Sequence, residues 1–368
     1  MSVHDEEARD FIVPDTSAKA TPSLSWRDAM SWEEFEIFVR QAVMPFEGKF
    51  RHRYFNYVHP VAFQGHWAPQ HVKETAIRIA FTEWGHPDLP VLICLGGIAN
   101  TARRWDYLAD GLCDRYRVIC LDWPGRGMSA WMPTQGDYTL DVNVEVIRQL
   151  IEFLDCGTAT ILGSSLGGSV AMAFCARHPG KVEKLILNDI GPFMPSERRK
   201  RRAQAVARHY VFRAPMDLFR RLGASAKNEG VLTEDELLHN TYFQTKWSDA
   251  HAGRVYHHDP RALQAYAEDA AEDIDQWRDW EGVGVPTLVI HGLMSDALLP
   301  ETVEEMITKP GVTAMHVPKA GHTPALSDAF QIGCVREWLE GQSIGGTFSC
   351  LIPEETPRHF FVAAASAR

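Results

Sequence analysis

The chain has 368 residues, 45% hydrophobic and 23% charged, with 11 tryptophans, a composition that excludes a disordered or fibrous protein. Its length allows one large domain with insertions or two domains, and its formal net charge of -11 argues against a nucleic-acid partner, whose phosphates the whole protein would repel. The first residues, Met1-Ser2-Val3-His4-Asp5-Glu6-Glu7, are acidic where a secretory signal needs basic and then apolar residues, and no run approaches the roughly 20 apolar residues of a membrane span. The seven cysteines (Cys94, Cys113, Cys120, Cys156, Cys175, Cys334 and Cys350) lack C-x-x-C spacing, so we expect reduced thiols in a cytoplasmic protein with no membrane partner.

In chain order, residues 1–25 are polar, contain Pro14 and Pro22, and read as a flexible arm. Ser31-Trp32-Glu33-Glu34 has the form of a capping box, and Phe35, Phe38, Val39 and Val43 follow near helical spacing. β-type runs begin at Tyr54-Phe55-Asn56-Tyr57-Val58 and at Thr75 to Phe81, where apolar and polar residues alternate. Then come short apolar runs at Val91 to Leu95, Val118 to Leu121, Thr160 to Leu162, Leu185 to Leu187 and Thr287 to Ile290. Strands buried on both faces look like this. Helical patterns at Tyr107 to Cys113, Leu140 to Leu154 and Leu166 to His178 separate them, which predicts βαβ units and a doubly wound, mostly parallel α/β sheet.

The alternation stops after Asn188-Asp189-Ile190-Gly191-Pro192 and resumes near Pro286. We therefore expect an N-terminal extension (1–50), a core (51–192 and 286–341), an inserted helical cap (193–285) and a C-terminal tail (342–368) to which no role is assigned. The basic run Arg198-Arg199-Lys200-Arg201-Arg202 reads as a solvated face of a cap helix rather than a phosphate site.

The chemistry centres on Gly163-Ser164-Ser165-Leu166-Gly167, between a strand and a helix. A serine at such a turn is lifted clear of the sheet, flanked by glycines because the turn has no room for Cβ atoms. A serine hydroxyl is a weak nucleophile until a base takes its proton. His322, in Ala320-Gly321-His322-Thr323-Pro324 after the strand around Thr313 to Val317, is the candidate base, since loops after parallel strands open on one rim. Asp296, just past the strand Thr287 to His291, is assigned as the acid that orients it, with Asp189 as the competitor on the same rim. The backbone N–H groups of Leu166 and Ile98 are assigned as donors to a developing oxyanion, Gly96-Gly97 letting the second loop turn inward. Asp122-Trp123-Pro124-Gly125-Arg126-Gly127-Met128-Ser129 fits D-x-x-G-x-G-x-S but not a dinucleotide loop, and reads as a structural turn beside the site.

Jointly and in this order, the Gly96-Gly97 loop with Trp105, the Asp122 to Ser129 turn, the elbow, Asp296 and His322 resemble the α/β-hydrolase superfamily over residues 75–340. The resemblance implies an eight-stranded sheet with a helical cap. Leu187 to Pro192 and Ser295-Asp296-Ala297-Leu298 look like capped bacterial serine esterases and lactonases. Two features depart from the common pattern: Gly96-Gly97 stands where many members have His-Gly, and the N-terminal extension is long. A serine nucleophile disfavours the dehalogenase and epoxide-hydrolase branches, which need a carboxylate there. The expected function is hydrolysis of small-molecule carboxylic esters or lactones through an acyl-enzyme, with no metal or organic cofactor. C–C bond hydrolysis of ring-cleavage products, acyl transfer and a non-catalytic binding module are the alternatives. His257-His258 show no ligand spacing, and most cap aromatics (Tyr242, Trp247, Tyr256, Trp277 and Trp280) are expected to pack rather than line a pocket.

Overall fold

A computed structural model describes residues 30–59, 75–226 and 228–341, and the backbone of the strands at 346–351 and 357–364. The expected flexible arm lies outside the described residues. The first helix, α1 (Trp32–Val43), is closed by the predicted box: the Ser31 hydroxyl accepts from the Glu34 N–H while the Glu34 carboxylate reaches back to the Ser31 N–H.

The sheet begins with β1 (Phe50–His59) and β2 (Thr75–Trp84), followed by β3 (Val91–Leu95), α2 (Asp106–Leu112), β4 (Arg117–Leu121), α3 (Leu140–Leu154), β5 (Ala159–Ser164), α4 (Leu166–Arg177) and β6 (Val182–Asn188). An inserted segment follows, with β7 (Phe193–Met194), α5 (Ser196–Val206), α6 (Pro215–Ala226), α7 (Glu234–Phe243), β8 (Thr245–Ser248), β9 (Gly253–Tyr256), α8 (Pro260–Asp269), β10 (Ile274–Asp275) and α9 (Trp277–Gly282). The chain then re-enters the sheet with β11 (Thr287–Gly292), α10 (Pro300–Met306), β12 (Val312–Val317) and α11 (Ala329–Leu339), and ends with β13 (Gly346–Leu351) and β14 (Pro357–Ala364).

The strand order is β1-β2-β4-β3-β5-β6-β11-β12-β14-β13. From β4 to β12 every neighbour is parallel, and the pairs β1/β2 and β2/β4 are antiparallel. Eight strands thus form the mostly parallel sheet, and β14 and β13 extend it antiparallel at the far edge. The tail, which carried no sequence assignment, therefore contributes two strands.

Strands β3, β4, β5 and β11 are buried along their whole length. Successive side chains point to opposite faces, so Ile93, Ile119, Ile161 and Leu187 join the core on one side while Leu92, Val118, Leu162 and Ile186 join the core on the other. This double burial is why these strands read as unbroken apolar runs rather than as alternations. A third core holds the inserted segment together. It is built from Tyr210, Phe212, Phe219 and Leu238, and α1 adds Phe35 and Val39 to it. The N-terminal helix thus packs on the insertion, and the Trp32 indole donates to the Arg213 carbonyl at 3.1 Å.

Candidate active site

Ser165 stands between the end of β5 and the start of α4 with φ 52° and ψ -117°, a conformation a non-glycine residue adopts only when its surroundings enforce it. Those surroundings are the neighbouring glycines. A Cβ on Gly163 would strike the Gly167 carbonyl, one on Gly167 would strike the Leu95 carbonyl of β3, and one on Gly168 would strike Ile190. The elbow therefore packs directly on its sheet neighbours, and the serine hydroxyl is left facing a cavity.

Beside it, His322 Nε2 lies 2.9 Å from Ser165 Oγ, as the sequence pairing requires. The imidazole sits on a loop clamped from several sides. Gly321 N–H donates to the Asn228 carbonyl and Ala325 N–H to the Glu229 carbonyl, both in the insertion. Arg104 donates to the Thr323 and Pro324 carbonyls, and Asn188 Nδ2 donates to the Pro324 carbonyl at 2.9 Å.

The acid on His322 is Asp189, which corrects the assignment of Asp296. Asp189 Oδ2 lies 2.9 Å from His322 Nδ1, and the carboxylate is fully buried. It also accepts from the Gly292 N–H at 2.8 Å and the Ser295 hydroxyl at 2.6 Å. Asp296 instead has a side chain 63% exposed and is paired with Arg198 at 3.2 Å and Arg201 at 3.7 Å. The reason lies in strand order. Ser164 pairs with Asn188 across β5/β6, so Ser165 and Asp189 leave neighbouring strands side by side, whereas β11, which leads to Asp296, is one strand further away. A positive φ of 55° at Asp189 turns the chain sharply as it leaves the strand. The Ser295-Asp296-Ala297-Leu298 stretch does serve the site, but through its serine. Ser295 Oγ accepts from the Ala297 and Leu298 N–H groups, which leaves its proton to Asp189.

An ionised carboxylate only accepts, so the His322 proton belongs on Nδ1 and Nε2 is free to accept from Ser165. Burial pushes the His322 pKa below its ordinary 6.5; the hydrogen bond and charge of Asp189 oppose this, while Arg198 and Arg202 add to it. The ring is accordingly neutral near pH 7, the state a base requires.

Ile98 and Leu166 both line the cavity beside Ser165, and Leu166 opens α4, where the first N–H groups have no intrahelical acceptor. The loop carrying Ile98 is braced by groups that the sequence did not single out. Asn100 Oδ1 accepts from the Gly97 N–H at 3.0 Å, the Trp123 indole donates to the Gly96 carbonyl at 2.8 Å, and Arg126 Nε donates to the Ile98 carbonyl at 3.0 Å. Trp123 and Arg126 belong to the D-x-x-G-x-G-x-S turn. Asp122 holds that turn by accepting from the Ala102 and Met128 N–H groups, and a Cβ on Gly127 would strike its carboxylate. The motif was the available signal: it is a rigid turn that braces the loop carrying Ile98.

The cavity has a volume of about 720 Å³. Tyr138 and Tyr266 are its aromatic lining, while Tyr242 and Tyr256 pack around the third core and Trp277 and Trp280 pack in the core on one side of the sheet, on a helix that contacts α4. The basic run on α5 is a solvated face only at Lys200 and Arg201: Arg198 and Arg199 are buried, Arg202 is half-buried, and these three line the cavity. His258 is buried and His257 half-buried rather than at the surface. Among the described residues no group of His, Cys, Asp and Glu has the arrangement to hold a metal ion, and no helix is long and apolar enough to cross a membrane.

Residues 90–329 match the family model for the alpha/beta hydrolase fold. The chain is 32% identical over 274 residues to the 3-hydroxybutyrate-oligomer hydrolase of Cupriavidus necator, covering 72% of this chain and 93% of that protein. It is 34% identical over 117 residues to the 2-hydroxy-6-oxononadienedioate/2-hydroxy-6-oxononatrienedioate hydrolase of Escherichia coli, covering 30% of this chain and 39% of the relative. Among solved structures, an alpha/beta hydrolase from Novosphingobium aromaticivorans superposes with a TM-score of 0.67 at 24% identity, covering 79% of this chain and 98% of that one. On sheet order, elbow and sequence match together, the chain belongs to the alpha/beta hydrolase fold family.

Proposed function

We propose that this hydrolase cleaves carboxylic esters or lactones through an acyl-enzyme on Ser165, with His322 as the base and Asp189 as the acid that orients it. One observation carries the reading: the unbroken line from Ser165 Oγ through His322 to Asp189, with both contacts at 2.9 Å, at the wall of a cavity. Ser165 Oγ attacks the ester carbonyl while its proton moves to His322 Nε2, and the oxyanion that forms accepts from the Ile98 and Leu166 N–H groups. The C–O bond then breaks as His322 returns the proton to the leaving alcohol. Water, deprotonated by His322, attacks the acyl carbonyl and releases the acid. The inserted segment acts as the cap over this chemistry, and the similarity over 72% of this chain to a 3-hydroxybutyrate-oligomer hydrolase supports an ester as the bond cleaved.

The test is Ser165→Ala. Its turnover of a short p-nitrophenyl ester should fall by about four orders of magnitude or more, and labelling by a fluorophosphonate should disappear. Labelling and turnover at wild-type level in this variant would refute the proposal. The shorter match to the Escherichia coli relative gives C–C bond hydrolysis a second place; a chromogenic dienol substrate cleaved faster than any ester would move it to first.

A further inference from the structure

The basic run on α5 is divided by its pairing. Arg198 is bonded to Asp296, Arg199 to Asp269, and the exposed Arg201 also faces Asp296. Arg202 lines the same cavity as Ser165 and, among the described residues, makes neither a hydrogen bond nor an ion pair. Burial holds its guanidinium below its ordinary pKa, with Arg198 adding repulsion, and the carboxylate of Glu229 that opposes this is itself taken by Arg104. A half-buried guanidinium with no partner is costly, and a ligand carboxylate with its two oxygens is the group whose geometry matches the fork.

The cavity also has acids: Glu268, Asp269, Glu272, Asp273 and Asp275. All five are exposed, so they form its mouth, where water and salt screen them within about 8–10 Å. Asp269 is spent on Arg199, Asp273 accepts from the Ser196 N–H, and Glu268 accepts from Gln135. That leaves Arg202, whose charge reaches His322, as the guanidinium of the cavity with no partner among the described residues.

Resting on the ester-hydrolase reading, we propose that Arg202 binds a substrate carboxylate, so that the preferred substrates are esters carrying a free carboxylate on their acid or alcohol part. A linear hydroxyacid oligomer, which ends in one carboxylate, is such a substrate. The bound anion also offsets the positive field that Arg198 and Arg202 exert on His322, which makes the base stronger when the correct substrate is present.

The probe is a dimer of 3-hydroxybutyrate compared with the same dimer as its terminal primary amide, with cleavage of the shared internal ester followed in both. Wild type should prefer the acid by about tenfold or more in kcat/KM, mainly through KM. Arg202→Gln should bring the ratio to within about threefold of unity; Arg202→Lys, which keeps the charge but loses the fork, should keep part of it and supplies the comparison if the glutamine variant does not fold. No preference in wild type, or a preference that survives in both variants, overturns the carboxylate site and leaves the ester reading standing. Binding is measured separately by calorimetric titration of Ser165→Ala with the acid dimer. Heat that disappears on adding Arg202→Gln, found together with no ester cleavage by wild type, would uphold the site and overturn the ester reading.

Discussion

An imidazole with a carboxylate on Nδ1 and a hydroxyl on Nε2 has one useful tautomer, and at His322 the Asp189 carboxylate selects it. Replacing Asp189 by Asn keeps the shape but lets the ring flip its proton to Nε2, so turnover should fall by roughly 10⁴-fold. Asp296→Asn should stay within about tenfold of wild type, because that exposed side chain pairs with Arg198 and Arg201 and makes no hydrogen bond to His322. Equal losses in the two variants would return Asp296 to the relay. The pH profile carries the same argument with a sign. Burial lowers the His322 pKa and Asp189 raises it, so the acid limb of kcat/KM should lie below pH 6.5 in the wild type. It should move lower still in Asp189→Asn, where the raising partner is lost. Ser165 and His322 were legible in the sequence as a pair because each sits in a local motif that fits one backbone geometry. The acid was not, because Asp189 and Asp296 both fall between Ser165 and His322 in chain order and both follow a strand on the same rim. Only the side-by-side exit of β5 and β6 separates them.

At the scale of elements, two loops meet at Ile98, whose N–H is proposed as an oxyanion donor. The turn after β4 reaches across to the turn after β3 through Arg126, which is buried and whose pKa burial lowers to about 10. Its guanidinium also donates to the Pro124 carbonyl at 2.7 Å, so it ties both loops at once. Removing it in Arg126→Met leaves the Ile98 carbonyl without its donor and lets the neighbouring N–H swing. We expect kcat to fall by about 10–100-fold with KM within about threefold, as when an oxyanion donor is displaced. A raised KM with kcat intact would put Arg126 on the substrate instead. The turn itself could be read from Asp122, Gly127 and Ser129. What it braces could not, since nothing local ties residue 126 to residue 98. The same holds for α1: its cap and its apolar stripe are local, but that Phe35 packs against Phe219 of the insertion is a matter of docking.

For the whole molecule, buried and half-buried histidines contribute to the response to acid. Burial lowers the pKa of His257 to about 4, places that of His258 well below the ordinary value, and also lowers His291, His316 and His322. Each is lower in the folded protein than the usual 6.5, so the unfolded chain takes up protons first as pH falls. The stability from these neutral rings is fully present above about pH 6.5 and is lost progressively as pH drops toward their folded values. Asp122, raised to about 6 by burial, works in the opposite direction but is a single carboxylate. The thermal midpoint should therefore fall by at least about 5 °C between pH 7 and pH 5. A midpoint that is flat over that interval would mean the rings are already charged in the fold. The sequence by itself determined the α/β alternation and the mostly parallel sheet, and it supplied the motifs that carry Ser165 and His322. These depend on periodicity and on turns a few residues long, which the chain states locally. Tertiary structure alone decided that Asp189 serves His322, that Arg126 supports the Ile98 loop and that Arg202 is left unpaired in the cavity. Each of these depends on which strand ends and helix faces lie next to each other, and that adjacency is a property of the folded sheet.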